Sequence, residues 1–161
     1  MTESIVALWL TVMLSFARHE PRERLETIAR TVVEATSDPQ EQALLLTISF
    51  YETGFGRAGI PFGLSSVNRR GHTLADDSQS SLRILRRSYA RCERGLAQIL
   101  GHYHHGNGCR PDPYSYNEAE TVRRMVGLYY RRAYATGVTV SPAPVFLRYA
   151  DNRPRPGGRR R

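Results

Sequence analysis

The sequence predicts a mainly α protein, a single domain of about six helices with a Gly-rich loop or small irregular hairpin after the third. Three observations carry that expectation. Apolar residues recur at spacings of three and four through most of the chain. Helix-start signals stand in front of several of those stretches, the plainest being Asp38-Pro39-Gln40-Glu41. The length of 161 residues, with 40% hydrophobic and 24% charged, suits one full core with little to spare, and there is no repeat.

Ile5 to Arg18 is apolar on nearly every face, the pattern of a central buried helix. His19-Glu20-Pro21 breaks it, and Pro21 suits the first position of a second helix reaching Thr36. Leu25, Ile28, Ala29, Val32 and Val33 form the stripe of that helix. Asp38 as cap, Pro39 at the first position and Glu41 at the third open the third helix. It carries Leu45, Ile48, Ser49 and Glu52 along one side, with Leu44, Tyr51 and Phe55 along the next, and stops at Gly54. Gly54 to Gly71 has no helical period and is the loop or hairpin. Asp76-Asp77-Ser78 is expected to cap a fourth helix reaching Arg94, with Leu82, Leu85, Tyr89, Cys92 and Leu96 inward. Gly95 kinks it or separates it from a fifth, Leu96 to His104. Gly106 to Pro113 reads as a turn-rich loop. Asn117 with Glu120 then opens a sixth helix to Ala135, with Val122, Met125, Val126 and Tyr129 inside. Val138 to Tyr149 reads as an extended segment on the body. The domain is thus residues 1–150, and residues 151–161 read as a disordered Arg-rich tail.

The net charge is +8, and all 23 basic residues are arginine. Residues 151–161 hold five Arg and one Asp, hence +4, half of the excess. The rest lies on the body and favours an anionic partner. The pairs Arg69-Arg70, Arg86-Arg87, Arg123-Arg124 and Arg131-Arg132 come with no recognition-helix motif, so they read as a solvated face and nucleic acid is not the expected partner. The tail suits an anionic wall polymer or membrane headgroups. Cys92 and Cys109 admit either one disulfide, contributing about 3 kcal/mol through a loop of roughly 17 residues, or two buried thiols. The apolar run Ile5 to Ala17 follows Met-Thr-Glu-Ser, which has an acid and no base, and no Ala-x-Ala site follows it. At roughly 13 residues it is too short to span a bilayer, so it reads as a core helix, with a signal peptide or signal-anchor as the alternative.

Glu52 is the candidate for chemistry. The apolar third helix delivers it to its own C-terminal end, where the macrodipole disfavours a carboxylate. Phe50, Tyr51 and Phe55 surround it in sequence, and an apolar wall acts in the same sense. Both effects favour a carboxylic acid that survives near neutral pH, which general acid catalysis requires. Asp76 and Asp77 are the only acids shortly after it, and they sit where a helix cap is wanted. His102, His104, His105 and Cys109 cluster, but their spacing fits no standard zinc pattern, so neither metal nor another cofactor is expected.

Four features follow in order: Glu52-Thr53-Gly54-Phe55, the turn Pro61-Phe62-Gly63-Leu64, a helix with Leu82-Arg83-Ile84-Leu85, and Leu96 to Gly108 with its Gly-His-Tyr-His-His-Gly-Asn-Gly end. That order resembles the lytic transglycosylase and goose-type lysozyme group of the lysozyme-like superfamily over roughly Asp38 to Ala135. There a helix ends in a catalytic Glu followed by Ser-x-Phe, a Gly-Leu-Met-Gln turn comes next, and an Ala-Tyr-Asn-Ala-Gly motif comes later. The resemblance implies a lysozyme-like domain with Glu52 as acid/base. It also implies sugar contacts from Thr53, Phe55, Gly63, Leu64, Ser65, Ser66, Tyr103 and His104. Ser65-Ser66 stand where Met-Gln would be, and His104 stands where the asparagine would be. It further implies cleavage of the MurNAc-GlcNAc β-1,4 bond of peptidoglycan strands, with the sugar's own 6-hydroxyl attacking to leave a 1,6-anhydro end. A hydrolytic muramidase and a non-catalytic glycan-binding or structural protein are the alternatives. Such a protein works in the cell envelope or outside the cell, and without a signal peptide it travels by a virion, a secretion machine or lysis.

Overall fold

Residues 1–62, 72–92, 95–106 and 108–141 are described by a computed structural model and form six helices. These are α1 (Thr2–Phe16), α2 (Arg22–Ala35), α3 (Pro39–Thr53), α4 (Leu74–Arg91), α5 (Leu96–His105) and α6 (Pro113–Thr136). No strand occurs among the described residues. A single hydrophobic core draws on all six helices, as the mainly α, one-domain expectation requires. The remainder of the expected loop, residues 63–71, and everything after Ser141 lie outside the described residues.

The central helix is α3, not α1. Every residue from Ala43 to Ser49 is buried, and α3 packs against α2, α4 and α6. By contrast α1 lies to the outside on α2 and α6, and shows water a stripe of Ser4, Ala7, Thr11 and Ser15. These small residues recur every three or four positions, so the stripe is narrow and the helix reads as apolar all round. Trp9 is fully buried where α1, α3 and α6 meet. Its ring stacks on Tyr129 at 4.4 Å between centroids. Its Nε1–H donates to Gln42 Oε1 at 2.6 Å.

Helix starts follow cap chemistry. Asp38 accepts from the Gln40 amide at 2.9 Å with Pro39 next, as read from the sequence. Glu41 does not turn back on that cap. It makes a two-pronged pair with Arg86 at 2.8 and 2.9 Å and so joins α3 to α4. The α4 helix starts at Leu74, before the expected Asp76 cap. Thr73 is the cap and Asp76 closes the capping box from inside the helix. Pro21 stands just before α2 as its cap residue.

The largest difference is at α6, which starts at Pro113 and not near Asn117. Asp112 caps it by accepting from Ser115 N at 2.7 Å, repeating the Asp-Pro signal of α3. Asn117 is inside the helix, and its carbonyl accepts from Thr121 Oγ1. The earlier cap wins because Pro113 has no amide to leave unpaired in the first turn.

The short α5 is tied at both ends. Cys92 at the end of α4 is disulfide-bonded to Cys109 beyond α5, which settles the alternative left by the two cysteines. A Cβ on Gly101 would sit 2.6 Å from the Arg110 carbonyl oxygen, so the returning chain lies directly on α5. After α6, Val138 and Val140 pack against the core, and Tyr130 donates to the Ser141 carbonyl at 3.0 Å. Among the described residues no helix is long and apolar enough to cross a membrane.

Candidate active site

The end of α3 is a sharp left-handed turn. Gly54 and Phe55 have φ of 57° and 56°, and their amides donate to the carbonyls of Phe50 and Ser49, each at 2.9 Å. A left-handed Phe costs about 1 to 2 kcal/mol. Complete burial of its ring beside Phe50, at 5.4 Å between centroids, offsets that cost. Thr53 Oγ1 donates to the Ser49 carbonyl at 3.1 Å and accepts from Gly56 N at 2.8 Å. Thr53 and Phe55 are therefore parts of the turn and leave no surface for the sugar contacts that the resemblance implies for them. Gly63, Leu64, Ser65 and Ser66 lie outside the described residues.

Glu52 keeps 31% of its side chain exposed, and what it meets is not the expected apolar wall. Its Oε1 lies 3.3 Å from His104 Nδ1. The other nitrogen of that ring, Nε2, lies 2.7 Å from Glu118 Oε2. Side-chain exposure falls along the row from 31% at Glu52 through 12% at His104 to 0% at Glu118. The three residues come from α3, α5 and α6, so the tertiary packing of three helices builds the row.

Electrostatics follow from that placement. Burial by itself would push His104 down, but the hydrogen bond to Glu118 and the charges of Glu118, Glu52 and Asp112 outweigh it. His104 therefore binds its proton above the ordinary imidazole value of 6.5. Its position in the last turn of α5 acts in the same sense. Burial raises Glu118, with the charges of Glu52 and Asp112 adding to it and His104 opposing. Glu118 Oε1 is buried with no hydrogen-bond partner among the described residues. His104 and Glu118, 2.7 Å apart, therefore titrate as a coupled pair.

Aromatic rings border the row. Tyr114, 40% exposed, meets the His104 ring edge-on at 5.5 Å and the Tyr51 ring at 5.3 Å. Tyr51 is held by a hydrogen bond between its hydroxyl and Thr121 Oγ1 at 3.0 Å. Tyr103 lies edge-on to His104 at 5.2 Å, and its hydroxyl donates to Ser81 Oγ at 3.2 Å and not to Glu52. Burial, with help from Glu52 and Glu118, pushes the Tyr103 phenol up to about 12.

The structure thus brings together Glu52, Tyr51, His104 and Tyr103 of the residues named from sequence, and adds Glu118 and Tyr114. Glu118 was legible only through Asp112-Pro113. Starting α6 there puts Glu118, Thr121, Val122 and Met125 on one buried face, whereas a start at Asn117 leaves Glu118 in an exposed first turn. The other histidines have separate tasks. His102 Nδ1 pairs with Ser88 Oγ at 2.9 Å, and His105 pairs with Asp112 at 3.1 Å. Among the described residues no three His, Cys, Asp or Glu side chains are placed to hold a metal ion. Asp76 is engaged in its capping box, and Asp77 is buried with His72 Nδ1 at 3.9 Å. On the outer side of α6 a groove of about 560 Å³ is lined by Glu120, Arg123, Arg124, Leu128 and Arg131. No protein-family model, curated protein or solved structure matches the chain.

Proposed function

We propose that the protein cleaves the MurNAc-GlcNAc β-1,4 bond of peptidoglycan, with Glu52 as general acid/base, in the manner of the lytic transglycosylases that its motifs resemble. The observation that carries this reading is a partly exposed carboxyl at a helix end, 3.3 Å from a histidine nitrogen and bordered by the rings of Tyr51 and Tyr114. Aromatic faces beside a proton donor suit a pyranose, whose C–H groups pack on rings while its hydroxyls stay wet. Glu52 gives a proton to the glycosidic oxygen, the C1–O bond breaks, and positive charge develops at C1. The 6-hydroxyl of the same sugar attacks C1, and its proton returns to Glu52, leaving a 1,6-anhydro end.

The non-hydrolytic route is favoured over a muramidase by the second carboxylate of the row. Glu118 is fully buried, so it is closed off from any water that would attack C1. The disulfide suits an oxidising place of work, the cell envelope or outside the cell. The arginine-lined groove on α6 adds to the reasons for an anionic wall polymer as a further partner.

Purified protein is expected to release muropeptides from sacculi, and Glu52→Gln to lower the rate by about a thousandfold with the fold kept. Equal release by that variant would remove Glu52 from the chemistry. Mass spectrometry separates the routes, since an anhydro end marks the transglycosylase and a reducing end the muramidase. Sacculi that bind the protein yet release nothing would mark a glycan-binding protein.

A further inference from the structure

A fully buried carboxylate is rare unless something holds it there. Glu118 has 0% exposure, and the ring it hydrogen-bonds to also touches Glu52. The opposed ends of one imidazole face two carboxylates, one sealed and one open to water. We propose that Glu118, acting through His104, is a positioning residue for Glu52, and that the His104–Glu52 pair holds the one proton that the reaction borrows and returns. This rests on the glycosidase reading of Glu52.

The geometry assigns the parts. Glu118 Oε2 is hydrogen-bonded to His104 Nε2 at 2.7 Å, which fixes the ring and leaves Nδ1 facing Glu52 Oε1. The Nδ1–Oε1 contact is an ion-pair distance of 3.3 Å, and on this proposal it tightens with substrate bound so that the two atoms share one proton. When Glu52 protonates the leaving oxygen, the pair is one proton short. When the sugar 6-hydroxyl attacks C1, its proton refills the pair, so protons balance over the cycle. The buried charge of Glu118 keeps the proton from being lost to water between turnovers. Among the described residues, the groups that face His104 are Glu52 from α3, Tyr103 and His105 on its own helix α5, and Asp112, Tyr114 and Glu118 from the start of α6. His105 is itself paired with Asp112. Glu118 is the fully buried one of these charges and makes the direct hydrogen bond. It is therefore the one whose removal acts most on the pair.

The test is a pH profile with a spectroscopic partner. In the wild type the alkaline limb of kcat/KM for muropeptide release reports loss of the shared proton. Glu118→Gln, which keeps shape and removes charge, is expected to move that limb down by about one pH unit. The His104 ring, followed by NMR titration, is expected to move down with it. His104→Asn is expected to lower kcat about a hundredfold with KM near its wild-type value. A limb and a His104 midpoint both unmoved in folded Glu118→Gln would overturn the proposal while release by the wild type kept the glycosidase reading. Should Glu118→Gln not fold, the NMR midpoint of His104 in wild type and in Glu52→Gln decides. A fall in the variant supports the shared proton, and an unchanged midpoint sinks it. No release by wild type, with the midpoint still moving in either variant, would reject the glycosidase reading and leave the proton coupling standing.

Discussion

At the scale of the residue, His104 answers to two carboxylates, and this makes its loss more damaging than the loss of either charge. Removing the ring leaves Glu118 buried with no counter-charge, whereas Glu118→Gln leaves a histidine that can become neutral. His104→Ala is therefore expected to lose about 3 kcal/mol in urea unfolding near neutral pH, with Glu118→Gln losing less. The pH dependence has a definite sign. The folded chain binds the His104 proton more tightly than the unfolded chain does. The stability contributed by the His104 proton is thus complete below the unfolded imidazole value of about 6.5 and is lost as pH rises through the raised folded value. An unfolding series in buffers upward from pH 6 should show that decline in the wild type and a flatter course in His104→Asn. Phe55 makes the opposite point. It sits beside Glu52 in sequence, yet its left-handed backbone turns it into the core, so sequence neighbours and site neighbours are different sets here.

At the scale of the element, α5 matters most because it carries His104 and is only ten residues long. An isolated helix of that length is marginal. Its position comes from the disulfide between its two flanks and from the close seat of the Arg110–Pro111 backbone on Gly101. Replacing Cys92 and Cys109 by serine is expected to cost about 3 kcal/mol of stability. It should also reduce muropeptide release beyond what the lost stability explains, which activity measured well below the melting point would reveal. Helix existence was legible throughout from apolar spacing, and the start of α5 at Leu96 from the break at Gly95, but a cap signal placed a helix start only where it stood alone. Asp38-Pro39 had no rival and was right. Asp76 and Asn117 each lay inside a helix whose real cap, Thr73 or Asp112, stood a few residues earlier. Misplacing the start of α6 hid Glu118, since a carboxylate in a first turn looks like ordinary dipole chemistry. The candidate site was half legible for the same reason. Glu52 announces itself at a helix end, while its partners depend on where two other helices lie, and no local pattern records that.

At the scale of the whole molecule, one core spans six helices, and its centre is the apolar run of α3. The order of depth between α1 and α3 was not legible, because both read as apolar and only packing decides which one keeps a wet stripe. Trp9 lies in that shared core, stacked on Tyr129 and hydrogen-bonded to Gln42, and it is the chain's one tryptophan. It sits against the start of α3, while Glu52 is near the other end, roughly 15 Å further along by helical rise. The molecule therefore has a built-in optical gauge. Native protein should emit at short wavelength from an indole shielded from water, and emission should shift to the red in one step with loss of helical ellipticity as urea is added. Variants at Glu52, His104 and Glu118 that keep the native emission have kept the junction of α1, α3 and α6. A change in their chemistry can then be assigned to the far end of α3. A red-shifted native spectrum would contradict the depth at which Trp9 lies.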